Sequence, residues 1–189
     1  MIKRISCFLL GILFVGTAKA QFDTAFAKQN IRHCADSLAW GFLHKRWDVF
    51  ARYTHPALIG SLGGVKEFMD YMSSRLDAIP DSAWKMYSPG KILQVVKSDG
   101  DLQSVVELKS IAEFQGKRIT TTSHLIGQSW DGGSFWTFFD SEGDRPSALL
   151  IKPDLSDKLI LPQKKETTEP LNPNPSANQK TKTKTKQNR

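Results

Sequence analysis

The chain has 189 residues, 40% of them hydrophobic, and a net charge of +7 from 26 Lys and Arg against 19 Asp and Glu. That charge sits at the ends: Lys3, Arg4 and Lys19 carry three positive charges and the segment from Lys164 onward a net five, which leaves the stretch between them at minus one. A nucleic-acid-binding domain carries its positive charge on the fold itself, as a patch or stripe, so specific nucleic-acid binding is not expected.

The chain opens on basic Met1-Ile2-Lys3-Arg4, continues with an apolar run from Ile5 to Val15 and reaches Ala18-Lys19-Ala20, the small-x-small pattern that signal peptidases cut after. Residues 1–20 are therefore expected to be a signal peptide, and the mature protein to be exported, periplasmic or secreted. Nothing later approaches the roughly 20 apolar residues a membrane helix needs, so no transmembrane segment is expected in the mature chain. Cys7 leaves with the signal and has no lipobox-like site before it, so Cys34 remains alone and cannot form an internal disulfide. Residues 21–163, about 140 of them, make one domain large enough to be held by its own core.

In chain order, Ala27, Ile31, Cys34, Leu38 and Phe42 recur at helical steps and predict a long amphipathic helix from Phe22 to Arg46. Trp47 to Tyr53 reads as a second, short helix barred from continuing by Pro56, and Ala57 to Leu62 as a short apolar strand or loop. Gly63-Gly64 break the chain before a third helix, Val65 to Ile79, whose apolar face is expected to pack on the sheet. Strands follow: Ala83 to Tyr87, Lys91 to Lys97, Leu102 to Phe114 with one wet face, Arg118 to Trp130, and Ser134 to Asp140. The last two form a β-hairpin across Asp131-Gly132-Gly133, with two registers open: Trp130 opposite Phe135, or Trp130 opposite Ser134. Leu149-Leu150-Ile151 either adds an edge strand or packs against the sheet. Residues 164–189 are too polar to offset the entropy of ordering and are expected to form a disordered Lys/Thr-rich tail, able to contact anionic envelope polymers. Helices first and an antiparallel meander after make an α+β two-layer domain.

The long helix, the Trp-Asp-Val-Phe-Ala-Arg-Tyr-Thr-His-Pro-Ala-Leu-Ile stretch, the Gly-Gly before the third helix and a meander ending in Phe-Trp-Thr-Phe-Phe-Asp together resemble the nuclear-transport-factor-2-like (SnoaL-like, cystatin-like) superfamily over nearly all of residues 21–140. The resemblance implies a cone, a curved antiparallel meander wrapped around three helices with a cavity inside. Some members of the family are isomerases, dehydratases or hydrolases, and others are non-catalytic binding or dimerisation modules. Isomerase relatives place a catalytic carboxylate after the second helix, whereas this chain has no acidic residue between His55 and Glu67.

Tyr53 and His55 fall where such cones open, and as phenol donor and imidazole base they are the candidate catalytic pair. The plainer reading is a His that caps the last carbonyls of the second helix and a Tyr in the core. Trp40, Tyr53, His55, Trp130 and Trp136 are the candidate lining of a pocket for a small apolar ligand; the plainer reading is that they fill the core. Trp136 is expected to face the helices. The histidines lack the local pairing of zinc signatures, and neither Gly-x-Ser-x-Gly nor a P-loop is present, so no metal and no cofactor is predicted. The chain thus reads as an exported non-catalytic binding or dimerisation module, pairing through its sheet face, or alternatively as a cavity enzyme working through Tyr53 and His55.

Overall fold

The computed structural model describes residues 23–171; the expected signal peptide, residues 1–20, and the end of the expected tail lie outside them. Helix α1 spans Thr24–Leu43. It starts where the Asp23 carboxylate accepts from the backbone N–H groups of Ala25 and Phe26 at 2.9 and 3.0 Å, which satisfies two otherwise orphaned donors. Its buried stripe is the one the spacing marks: Ala27, Ile31, Cys34, Leu38 and Phe42. Near its end the chain doubles back so closely that a Cβ on Gly41 would stand 2.8 Å from the backbone nitrogen of Phe50, so glycine is required there. Helix α2 spans Trp47–Tyr53, as expected.

Where a strand or loop is expected, a further helix forms, α3, Pro56–Ser61. Pro56 ends one helix and begins the next for the same reason, since a first-turn residue needs no N–H donor and its φ is already helical. After Gly63 and Gly64, at φ 99° and 122°, comes α4, Val65–Leu76. This helix does not lie on the sheet. Its one buried residue, Phe68, stacks on Phe50 of α2 at 6.0 Å, and α4 packs on α2 and α3 because α1 and α2 already cover the sheet.

A short 3₁₀ turn leads into an antiparallel sheet of order β1-β2-β3-β4: Trp84–Lys97, Leu102–Phe114, Lys117–Ser129 and Thr137–Asp140. The two strands expected before Leu102 are one, with register shifts around Pro89. Pro89 is tolerated because β1 is an edge strand, and Arg32 of α1 donates to the Pro89 and Gly90 carbonyls at 3.1 and 2.5 Å across the irregularity.

Alternation in β2 and β3 divides the core in two. Leu102, Val106, Leu108 and Leu125 face α1 with Trp136 and Phe138; Val105 and Ile126 face the other way with Phe139. That second face is not wet along its whole length. Helix α5, Arg145–Ile151, and the following segment with Leu155 and Leu159 cover its near half; the helix packs through Ala148 and Ile151, while Leu149 and Leu150 of the expected run point to solvent. The sheet is covered on both sides there, and only its far half, around Lys109 and Glu113, has the expected solvated face.

Two expectations at the chain's end are corrected. The β3–β4 pairing stops at Gln128–Thr137, so no tight turn joins the strands; continued outward this register would place Trp130 opposite Phe135, but those residues are unpaired. The connecting loop closes instead around Asp131, whose carboxylate accepts from the Ser129 hydroxyl at 2.7 Å and from the Ser134 and Phe135 N–H groups, both at 3.0 Å. The segment expected to be disordered from Lys164 begins with a strand, β5, Lys165–Pro170, antiparallel to β3 residues Lys117–Thr122. β4 leaves that half of the β3 edge free, and β5 is held by backbone pairing and an exposed Thr121–Glu166 hydrogen bond, with no buried side chain of its own.

Candidate functional site

A groove of about 480 Å³ lies between α1 and α2, lined by His33, Asp36, Ser37 and Trp40 from the first and Val49, Arg52 and Tyr53 from the second. Both sets follow from helical periodicity. His33, Asp36, Ser37 and Trp40 are spaced i, i+3, i+4 and i+7, a stripe beside the buried one, and Val49, Arg52 and Tyr53 repeat the i, i+3, i+4 pattern. Trp40 is 45% exposed, one side stacked on His44 at 4.6 Å, and the His44 Nδ1 is 2.8 Å from the Trp40 carbonyl. The Arg52 guanidinium lies 5.9 Å from the centroids of both Tyr53 and Phe135. Among the described residues it makes no ion pair and no hydrogen bond, and neither does the Asp36 carboxylate. The groove therefore combines an exposed indole, a phenol and a valine with two uncommitted charges.

The five candidate pocket residues do not come together. Trp40 and Tyr53 share the groove; Trp136 is fully buried against α1, facing the helices, with its indole N–H donated to the Gly133 carbonyl at 3.0 Å. Its place is in the core cluster with Ala27, Ile31 and Phe138. His55 lies on the opposite side of the sheet, between Phe139 at 5.3 Å and Trp130 at 5.6 Å. Trp130 is 55% exposed and covers His55 from solvent.

His55 caps a helix, but not the one expected. Its Nδ1 accepts from the Ala57 N–H at 3.2 Å, making it the N-cap of α3. Its Nε2 lies 2.5 Å from the Gln128 side-chain oxygen. Gln128 in turn donates its amide N–H to Asp101, which also accepts from Gln103 at 3.0 Å and from Lys152 at 2.6 Å. Lys152, the residue that ends α5, is 2% exposed; Asp101 is 7% exposed and His55 4%. Each member fixes the next. An ammonium makes Asp101 an acceptor, which turns the Gln128 nitrogen toward Asp101 and its oxygen toward His55, so Nε2 carries the proton and Nδ1 keeps its lone pair. Burial pushes the His55 imidazole below its ordinary range, against the opposing pull of the Gln128 bond. With both ring nitrogens engaged, His55 has no lone pair free to act as a base.

The remaining reactive groups are quiet. Burial pushes the Cys34 thiol up, which keeps it protonated and unreactive. Burial likewise lowers His124, which faces Glu107 across the β2–β3 ladder. No three His, Cys, Asp or Glu side chains among the described residues are placed to hold a metal ion. Nor is any described helix long and apolar enough to cross a membrane.

Sequence reasoning passed over Arg52 and Val49, although their spacing with Tyr53 was readable. It also passed over the Asp101-Gln103-Gln128-Lys152 cluster, whose members are up to 51 residues apart and share no local pattern. No protein-family model, no curated protein and no solved structure matches the chain.

Proposed function

We propose that the chain is an exported, non-catalytic binding module of the nuclear-transport-factor-2-like kind, and that it seats a small ligand in the groove between α1 and α2. An α+β domain of N-terminal helices on an antiparallel meander supports the family reading. One observation carries the binding reading: a guanidinium with no anionic partner among the described residues shares the groove with an exposed indole. A lone exposed Trp is ordinary on a surface, but one that shares a groove with an Arg near aromatic planes suits a flat apolar body bearing a carboxylate or similar anion. The ligand is therefore amphipathic, where the sequence alone points to an apolar one.

The enzyme alternative finds no geometry to rest on. Tyr53 belongs to the core shared with α1, whereas His55 bonds to Gln128 on the other side of the sheet, so the two do not flank a common substrate.

Titration with naphthoate, followed by tryptophan fluorescence and calorimetry, tests the reading. Saturable binding should weaken about tenfold or more in Arg52→Gln, as loss of a charged hydrogen bond implies, and the fluorescence change should shrink in Trp40→Phe. Uncharged naphthalene binding equally well would remove Arg52 from the site, and no binding of either probe would dismiss the groove.

A further inference from the structure

The chain from Lys152 through Asp101 and Gln128 to His55 ties together the end of α5, the start of β2, the end of β3 and the start of α3. It uses none of the groove residues, so it has no part in the binding reading. Buried ion pairs contribute little net stability, because desolvation offsets their attraction. What this chain does supply is definition: it leaves His55 one proton, on Nε2, and makes its other nitrogen the sole side-chain cap of α3.

We propose that this chain is an acid-release switch, in which a second proton on His55 breaks the α3 cap and loosens α3, together with the loop bearing Trp130, from the sheet. The step is a simple protonation. Nδ1 gains a proton from solvent and becomes a donor facing the Ala57 N–H, so an acceptor–donor pair becomes two donors and the cap bond cannot persist. The Nε2 side is unaffected, since that nitrogen already donates to Gln128.

The surroundings oppose a buried cation. His55 meets uncharged Gln128 from β3, Trp130 from the loop after it and Phe139 from β4; α3 contains no charged residue. The Lys152 ammonium repels it from the α5 end, while Asp101 and Asp154 attract it, both already bonded to Lys152 at 2.6 and 2.9 Å. The imidazolium therefore gains most by moving outward past the half-exposed Trp130.

The sign follows. His55 binds its proton less readily folded than unfolded, so the unfolded chain takes it up first. Stability is complete above the ordinary imidazole value of 6.5 and is lost as pH falls from there through the lowered folded-state value.

Proton exchange and histidine ring resonances of the mature protein, followed by NMR from pH 7.5 to 4.5, test the switch. The protection factor of the Ala57 amide should fall at least about tenfold in step with the His55 ring titration, while protection in β2 persists. In His55→Asn, a side chain that caps helices but does not titrate, Ala57 protection should stay level over the same range. Titration of His55 without loss of Ala57 protection, a ring that stays neutral to pH 4.5, or an equal loss in His55→Asn would each overturn the proposal. Should His55→Asn fail to fold, the wild-type titration alone decides between the first two outcomes and the expected one.

Discussion

Trp136 and Arg52 mark the two extremes of side-chain use in this protein. The indole of Trp136 is completely buried and its N–H is satisfied, so Trp136→Ala should cost about 3–5 kcal/mol in denaturant unfolding. A loss under 1 kcal/mol would mean that the indole lines an open space instead. Lys152 is equally buried but charged. Its removal strands Asp101 in the interior, and Lys152→Met alone should destabilise by about 3–5 kcal/mol, whereas adding Asp101→Leu should restore only part of the loss, since it takes an acceptor from the Gln103 and Gln128 amides. Chemical denaturation of the two single variants and the double variant measures the coupling; strictly additive losses would show that the pair does not act as a unit.

Among the elements, α4 rests on one buried side chain, whereas the loop between β3 and β4 is closed by bonds to the Asp131 carboxylate. Phe68 is the only buried residue of α4, so Phe68→Asp should lower stability by about 3–5 kcal/mol and detach α4 from α2. Met72 is half-buried, and Met72→Asp should cost about 1 kcal/mol; a larger loss at Met72 than at Phe68 would reverse which side of α4 faces α2. The loop around Asp131 has its own pH signature. Partial burial pushes the Asp131 carboxyl up, but bonds from Phe135, Ser129 and Ser134 outweigh it and hold it below the ordinary value of 3.8. The loop's contribution is then present above 3.8 and lost as pH falls through the lower folded value. Asp131→Asn should flatten the thermal midpoint across that acid range.

At the scale of the whole molecule, β5 completes the sheet without adding to the core. Ending the chain before Lys165 removes pairing from Lys117–Thr122 and uncovers an edge of unpaired N–H and C=O groups. The melting temperature should drop by only about 2–4 °C, as for a change near 1 kcal/mol in a domain of this size, while sedimentation should show new self-association. An unchanged monomer with an unchanged midpoint would show that β5 leaves the edge readily in solution.

The sequence by itself determined where most elements lie and which face of each is apolar, because helical and alternating periodicities are local. α1, α2 and β2 follow directly from them, as does the stripe His33–Trp40 that lines one wall of the groove. Only the tertiary structure decided which partners those faces meet. That α4 docks on α2 depends on the sheet being already covered, and that Lys165–Pro170 is a strand depends on β4 being too short to cover β3, neither of which is written in the segments themselves. His55 shows the same limit at one residue. Its position before Pro56 marks a helix boundary, but its tautomer, its burial and the direction of its cap are set by Gln128, Asp101 and Lys152, which the fold brings to it from three distant parts of the chain.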